Sequence, residues 1–413
     1  MTPSDQREFD VVLLGATGFV GRLTAQHLAQ AAGREVRIAL AGRSGSRLTQ
    51  VRAELGDAGR DWPLITVDVT DGPALAELAR RTRVLLTTVG PYLRHGLPVV
   101  QACADAGTHY ADLTGETLFV RRSIDASHHR AVETGARIVH ACGFDSVPSD
   151  LSVGLLAEHA ARDGQGTLAE TVLHVRDMRG GVSGGTVDSL RVQTEEAGSD
   201  QQLRKLAASA LALTDREAAR PGRSRPAPRR RLPVGLDART GRWSAPFVMG
   251  GFNRQIVLRT DQLGGWAYGP EFHYREVIDT GQGPVGVAAA AALLAGSTAL
   301  FGAMSFSPTR RVLDRFLPDP GKGPSEKTRR NGRFRLEVTA ATTTGARYRA
   351  EFAADLDPGY NGTAVMLGQS GLSLAFDADL AERAGVLTPM SAMGEALARR
   401  LRDQRFTVTT APC

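Results

Sequence analysis

Three glycines, Gly15, Gly18 and Gly21, follow directly on the apolar run Val11-Val12-Leu13-Leu14. A buried parallel strand that turns into a helix at this spacing aims free backbone N–H groups and the positive end of the helix dipole at one point. That is a cradle for a diphosphate, with Gly15, Ala16, Thr17, Gly18, Phe19 and Val20 forming its rim. Glycines so spaced also occur in plain tight turns. The helical pattern over 22–32 and the strand pattern over 35–41 complete a unit of the kind that binds dinucleotides.

That second strand ends in Gly42-Arg43-Ser44. An enzyme using NAD places an acid there for the ribose diol, whereas Arg43 and Ser44 offer a cation and a hydroxyl to a 2′-phosphate. The expected cofactor is therefore NADP(H), and the competing reading of Arg43 is a solvated loop arginine. Asp68, in the strand 64–69, stands where such folds contact adenine; it could equally cap the helix that Asp71-Gly72-Pro73 begins. A fourth strand over 84–89 brings Thr88, Val89, Gly90 and Pro91 to the nicotinamide side of the crevice.

Tyr92 and His95 come next in the chain and are the leading catalytic candidates. Tyr110, Asp112, Glu116 and Asp145 also fall at the expected cleft, with helix capping and packing as equal alternatives for each. The Tyr-x-x-x-Lys spacing of a familiar hydride-transfer site is absent from this set.

These residues need a scaffold, and the chain supplies six strand patterns separated by helical ones before residue 150. The expected fold is α/β, a Rossmann doubly wound parallel sheet over 1–150, with a second α+β domain of mixed or antiparallel sheet over 151–378. Residues 379–413 are expected to pack back on the first domain. At 413 residues the chain is too long for one ordinary core. A hydrophobic content of 42% with 23% charged residues excludes a disordered chain. The three cysteines are scattered and odd in number, which points to a reducing, cytoplasmic setting rather than a disulfide framework. No metal-ligand spacing appears among them and the nine histidines. Much of the net charge of +6 comes from one arginine-rich stretch, and no nucleic-acid motif accompanies it.

In the second domain the alternation at 171–176 reads as a strand, and 334–340 with 346–354 as a hairpin around Thr344-Gly345. The glycine-rich 180–186 is a second anion or substrate loop, or a hinge. The proline-broken arginine cluster 220–231 reads as a surface loop, with docking of an acidic carrier protein or of anionic headgroups as the sharper alternative. The segment 285–306 has no charge over a length close to the roughly 20 residues that cross a bilayer. Being rich in alanine and glycine, it is read first as a buried or lipid-facing helix, then as a site of peripheral membrane contact, and last as a true span.

Several stretches together resemble the saccharopine dehydrogenase-like oxidoreductases, in particular their trans-acting enoyl reductase branch. They are Gly15 through Gly21, Ala41-Gly42-Arg43-Ser44, Val89-Gly90-Pro91-Tyr92, Tyr110 through Glu116, and Cys142-Gly143-Phe144-Asp145-Ser146-Val147-Pro148-Ser149-Asp150. The loop 180–186 and Tyr360-Asn361-Gly362-Thr363-Ala364 are similar too. The resemblance implies an NADP(H)-binding Rossmann domain, a second domain covering the cleft, and reduction of an acyl or polyketide thioester, carried on a synthase or carrier protein, during lipid biosynthesis. A saccharopine-type reductase of amino-acid imines and a non-catalytic NADPH-binding protein are the alternatives. The 220–231 cluster departs from the family pattern.

Overall fold

A computed structural model describes residues 7–180, 184–215, 234–237, 240–305, 309 and 326–413. The arginine cluster 220–231 lies outside them, as does the centre of the 180–186 loop. Six strands alternate with helices as the apolar runs require: β1 (Phe9–Leu14), β2 (Ile38–Gly42), β3 (Leu64–Thr66), β4 (Thr82–Thr87), β5 (His109–Asp112) and β6 (Arg137–Val139). Between them run α1 (Phe19–Ala31), α2 (Gly45–Glu54), α3 (Gly72–Arg81), α4 (Tyr92–Ala106) and α5 (Thr117–Thr134). Every residue of β1 is buried, as expected for the centre of a parallel sheet covered on both faces.

The first sheet has seven strands rather than six, in the order β13-β6-β5-β4-β1-β2-β3 and parallel throughout. The extra strand, β13 (Gly385–Leu387), comes from the C-terminal segment. Three residues carry too little pattern to announce a strand; pairing with β6 makes it one.

From β6 the chain enters α6 (Val147–Arg162), with Pro148 in its first turn, and then a second sheet. That sheet comprises β7 (Leu168–Arg179), β8 (Gly235–Asp237), β9 (Arg242–Pro246), β10 (His273–Gln282), β11 (Arg333–Thr342), β12 (Arg347–Ala354) and β14 (Thr407–Pro412). Its order is β14-β12-β11-β7-β10-β9-β8, antiparallel except for the β7–β10 pair. Along β11 and β12 the inward residues alternate with outward ones, so one face is packed and the other meets water.

The remaining helices are α7 (Gly184–Ser199), α8 (Gln201–Ala208), α9 (Gly250–Leu263), α10 (Gly283–Ser305), α11 (Glu326–Arg330), α12 (Thr363–Phe376) and α13 (Pro389–Asp403). Helix α12, expected in the second domain, lies against α1, β1, β4 and β5 of the first sheet. Apart from Gln369, whose amide is bonded to His27 of α1 at 2.9 Å, its residues are apolar or small on all sides and nearly all are buried, so it belongs inside. One continuous core results, from Leu13 and Leu28 through Leu151 of α6 to Phe334 and Phe352 of the second sheet.

Candidate functional site

The crevice is built around Gly15. Its φ is +88°, and a Cβ there would stand 2.8 Å from the Thr88 hydroxyl and 2.9 Å from a Val89 methyl. Glycine satisfies both demands. The Thr88 hydroxyl donates to the Gly15 carbonyl at 3.0 Å and the Thr88 N–H donates to Leu14 O at 3.0 Å, so Thr88 and Val89 form the floor of the turn. The Gly18 N–H donates to Gly15 O at 2.9 Å, and a Cβ on Gly21 would lie 2.2 Å from that same oxygen. Helix α1 thus starts in direct contact with the strand end. Its first-turn N–H groups, from Phe19 onward, face the exposed Gly18 rim, with Ala16 buried behind and Thr17 beside Gly42. This cradle fits a diphosphate because the two glycines let α1 begin against the strand end; a side chain at either would collide with Thr88 and Val89 or with the Gly15 carbonyl and push that helix end away.

At the end of β2, Arg43 is exposed, while Ser44 caps α2 by accepting from the Arg47 N–H at 3.4 Å. Asp68 accepts from the Thr70 N–H at 2.9 Å and its hydroxyl at 2.7 Å; these bonds, and then the charges of Arg43 and His95, hold its carboxyl below the usual range. Capping of α3 falls to Asp71, which accepts from the Ala74 N–H at 3.0 Å. Arg43, Asp68 and His95 therefore gather on the β2–β3 side, where the adenosine 2′-phosphate end of a dinucleotide would rest.

Of the two leading catalytic expectations, that for Tyr92 changes. Helix α4 begins at Tyr92, because the Glu116 carboxylate accepts from the Tyr92 and Leu93 N–H groups at 3.0 and 2.7 Å and caps it. The Tyr92 ring is buried, 5.6 Å from Phe119 in a stacked pair. Its hydroxyl donates to Thr87 O at 3.1 Å and accepts from the Leu113 N–H at 3.2 Å. It holds β4 to the β5 loop instead of facing a substrate. His95 sits in the first turn of α4, where its N–H donates to Pro91 O at 3.1 Å and its charge helps to lower the Asp68 carboxyl. Gly90 and Pro91 remain at the crevice, where Ser189 of α7 approaches to 4.0 Å from a Cβ placed on Gly90.

Asp112 is also structural. Fully buried, it accepts from the Tyr110 hydroxyl at 2.9 Å, the Thr114 and Ala141 N–H groups at 3.1 and 3.0 Å, and His140 Nδ1 at 2.7 Å. With Nδ1 donating, His140 Nε2 accepts from the Ser123 hydroxyl at 2.7 Å. This chain locks the β5 and β6 ends together. Asp145 is different: half-buried beyond the end of β6, it has a carboxyl that desolvation pushes up to about 6.

Beside Asp145 lies a buried set that sequence reasoning missed. The Glu276 carboxylate accepts from Ser149 and Tyr274 hydroxyls, both at 2.7 Å, and from the Asn253 amide at 2.9 Å, while the Ser146 hydroxyl donates to Asn253 at 2.9 Å. Burial raises the Glu276 carboxyl, and the charge of Asp145 adds to this. The available signal was the period-two placement of Glu276 with Tyr274 on the inward face of β10. The second domain also closes over the cradle through its 358–362 turn. There the Tyr360 ring meets Phe19 edge-on at 4.8 Å, and the Arg329 guanidinium stands 5.3 Å from the Phe19 ring. The Thr363 hydroxyl accepts from the Phe144 N–H at 3.1 Å. Among the described residues no three His, Cys, Asp or Glu side chains converge as a metal site would need.

Comparison with known proteins bears on this arrangement. Residues 11–139 match the saccharopine dehydrogenase NADP binding domain family. The trans-acting enoyl reductase of Mycobacterium ulcerans is 49% identical over 414 residues, covering 98% of each chain. That of Mycobacterium bovis is 48% identical over 409 residues and 97% of each. Among solved structures, apo saccharopine dehydrogenase (L-Glu forming) from Saccharomyces cerevisiae shares the fold, with a TM-score of 0.55 at 14% identity over 98% of this chain and 99% of its own.

Proposed function

Because the chain belongs to the trans-acting enoyl reductase branch of the saccharopine dehydrogenase-like oxidoreductases, we propose that it reduces the α,β-unsaturated thioester of an acyl or polyketide chain made by a separate synthase, in lipid biosynthesis. It is an NADP(H)-dependent oxidoreductase. The observation that carries the cofactor reading is the Gly15–Gly21 contact, which opens the N-terminus of α1 to a diphosphate; the exposed Arg43 just after β2 supports a 2′-phosphate on the ribose.

Bound there, NADPH supplies the hydride that reaches the β-carbon of the alkene. The chain's own task is to hold the diphosphate on the N–H groups of α1, to keep the nicotinamide side open at Gly90 and Pro91, and to shield the cleft with the 358–362 turn. Reduction also requires a proton at the α-carbon. Asp145 is the acid the site offers for it, half-buried beyond β6 and protonated below about pH 6. The buried Glu276 set beneath it keeps that part of the cleft rigid.

The test is NADPH oxidation by the purified protein with an enoyl thioester, compared with an amino acid plus an aldehyde acid. Turnover of the enoyl thioester is expected. Turnover of the amino-acid pair alone would replace this reading with an imine reductase, and tight NADPH binding without turnover of either would make the protein a cofactor-binding one.

A further inference from the structure

Helix α10 is out of keeping with the rest of the surface. Its 23 residues carry no charge, and its apolar stretch has a mean hydropathy of 1.8 with only 12% of it buried. Attachment to the protein is thin: Gly286, Ala290 and Met304 are buried, whereas Val285 is 79% and Leu293 46% exposed. No polar face turns to the water. The two hydroxyls near its middle are bonded inward, Ser297 to Leu293 O at 2.8 Å and Thr298 to Leu294 O at 2.7 Å.

We infer that α10 is a membrane-surface anchor that lies in the interfacial layer of an anionic lipid bilayer. A helix apolar on all sides finds its solvent in a protein core or in lipid, and the core is excluded here by exposure. A second copy of the chain would cover one side and leave the other in water. Lipid covers every side that the protein leaves free.

The topology says how it lies. At about 34 Å the helix is long enough to cross a bilayer. Yet β10, which precedes it, and β11, which follows, both pair with β7 of the same sheet. The chain must therefore return to the side it left. The connecting residues 306–325 carry Arg310, Arg311, Asp314, Arg315, Asp319 and Lys322, which do not cross hydrocarbon. The helix is seated in the surface and does not span it. The sequence supplies the matching charge: four of those six connecting charges are basic, and Arg220, Arg223, Arg225, Arg229, Arg230 and Arg231 form a second basic run along the chain.

The position suits a lipid substrate. Helix α10 packs on β9, β10 and α7, and α7 is the helix whose Ser189 approaches Gly90 at the nicotinamide end of the crevice. An anchored α10 would hold the mouth of the cleft near the bilayer.

The experiment is flotation of the full-length protein with vesicles of phosphatidylcholine, with and without added phosphatidylglycerol, alongside the double variant Val285→Glu/Leu293→Glu. Both substituted residues are exposed, so NADPH affinity should be unchanged and reports that the variant is folded. Wild type is expected to float with both vesicle types and more with the anionic ones. The variant should lose about a hundredfold in partitioning. Wild type remaining in solution with both vesicle types would overturn the inference. So would equal flotation of wild type and variant abolished by high salt, which would assign binding to the arginines alone. Oligomers of wild type without vesicle binding, dispersed by the two substitutions, would make α10 an interface between copies and overturn it as well. The readout does not depend on which thioester the enzyme reduces.

Discussion

A Cβ on Gly21 would lie 2.2 Å from the carbonyl oxygen of Gly15, closer than any real side chain approaches. The two glycines let a helix begin against the end of a strand, and the cradle between them exists through that contact. Gly21→Val should push α1 off the turn, lower stability by about 1–3 kcal/mol and abolish measurable NADPH binding. Denaturant unfolding and a fluorescence titration check the two parts. Binding at wild-type affinity would show that the dinucleotide does not use this helix end.

Arg43 stands exposed at the end of β2, on the same side as Asp68. A charge-assisted contact to the 2′-phosphate is worth about 1.5–3 kcal/mol. Arg43→Ala is therefore expected to weaken NADPH by roughly 10- to 150-fold and NADH hardly at all. Equal loss for both cofactors, measured by calorimetric titration, would remove Arg43 from cofactor discrimination.

Tyr92→Phe separates structure from catalysis. The hydroxyl bridges Thr87 O and the Leu113 N–H in a buried setting, so its loss should cost about 1–3 kcal/mol of stability. The rate constant with saturating substrate should stay within about threefold of wild type, since the ring still packs on Phe119. A fall of a thousandfold or so with stability intact would return Tyr92 to the reacting centre.

Asp145 gives the pH dependence its sign. As a proton donor it works in the protonated form, so kcat/KM should fall as pH rises through about 6, and Asp145→Asn should remove that limb and most of the rate. Stability follows the same direction. The folded protein holds this proton more tightly than the unfolded chain, so the contribution is full below pH 3.8 and is lost as pH rises to about 6. Asp145→Asn should flatten that slope in thermal melts taken across the window. An unchanged pH profile would assign the proton to another group or to water.

The features legible in the sequence are local ones. The run Val11–Leu14 ending in glycine, the Gly42-Arg43-Ser44 turn and the alternation of strand and helix patterns all depend on neighbours within a few positions, so the Rossmann half, its cradle and the NADP(H) reading were legible from them. The hairpin around Thr344-Gly345 was legible for the same reason. Tertiary structure decided whatever depends on partners far along the chain. Glu116 starts α4 at Tyr92, although 23 and 24 residues separate them from the N–H groups it caps. Thr363 reaches Phe144 across 219 positions, and Gly385–Leu387 becomes a strand by pairing with β6. Burial decided the acids in the same way. Asp112 and Asp145 are indistinguishable as letters near a cleft, yet one is saturated by four donors and the other keeps a raised carboxyl beyond the end of β6. Only the folded chain separates them, because solvent access and hydrogen-bond supply are properties of what packs around a residue and not of its place in the sequence.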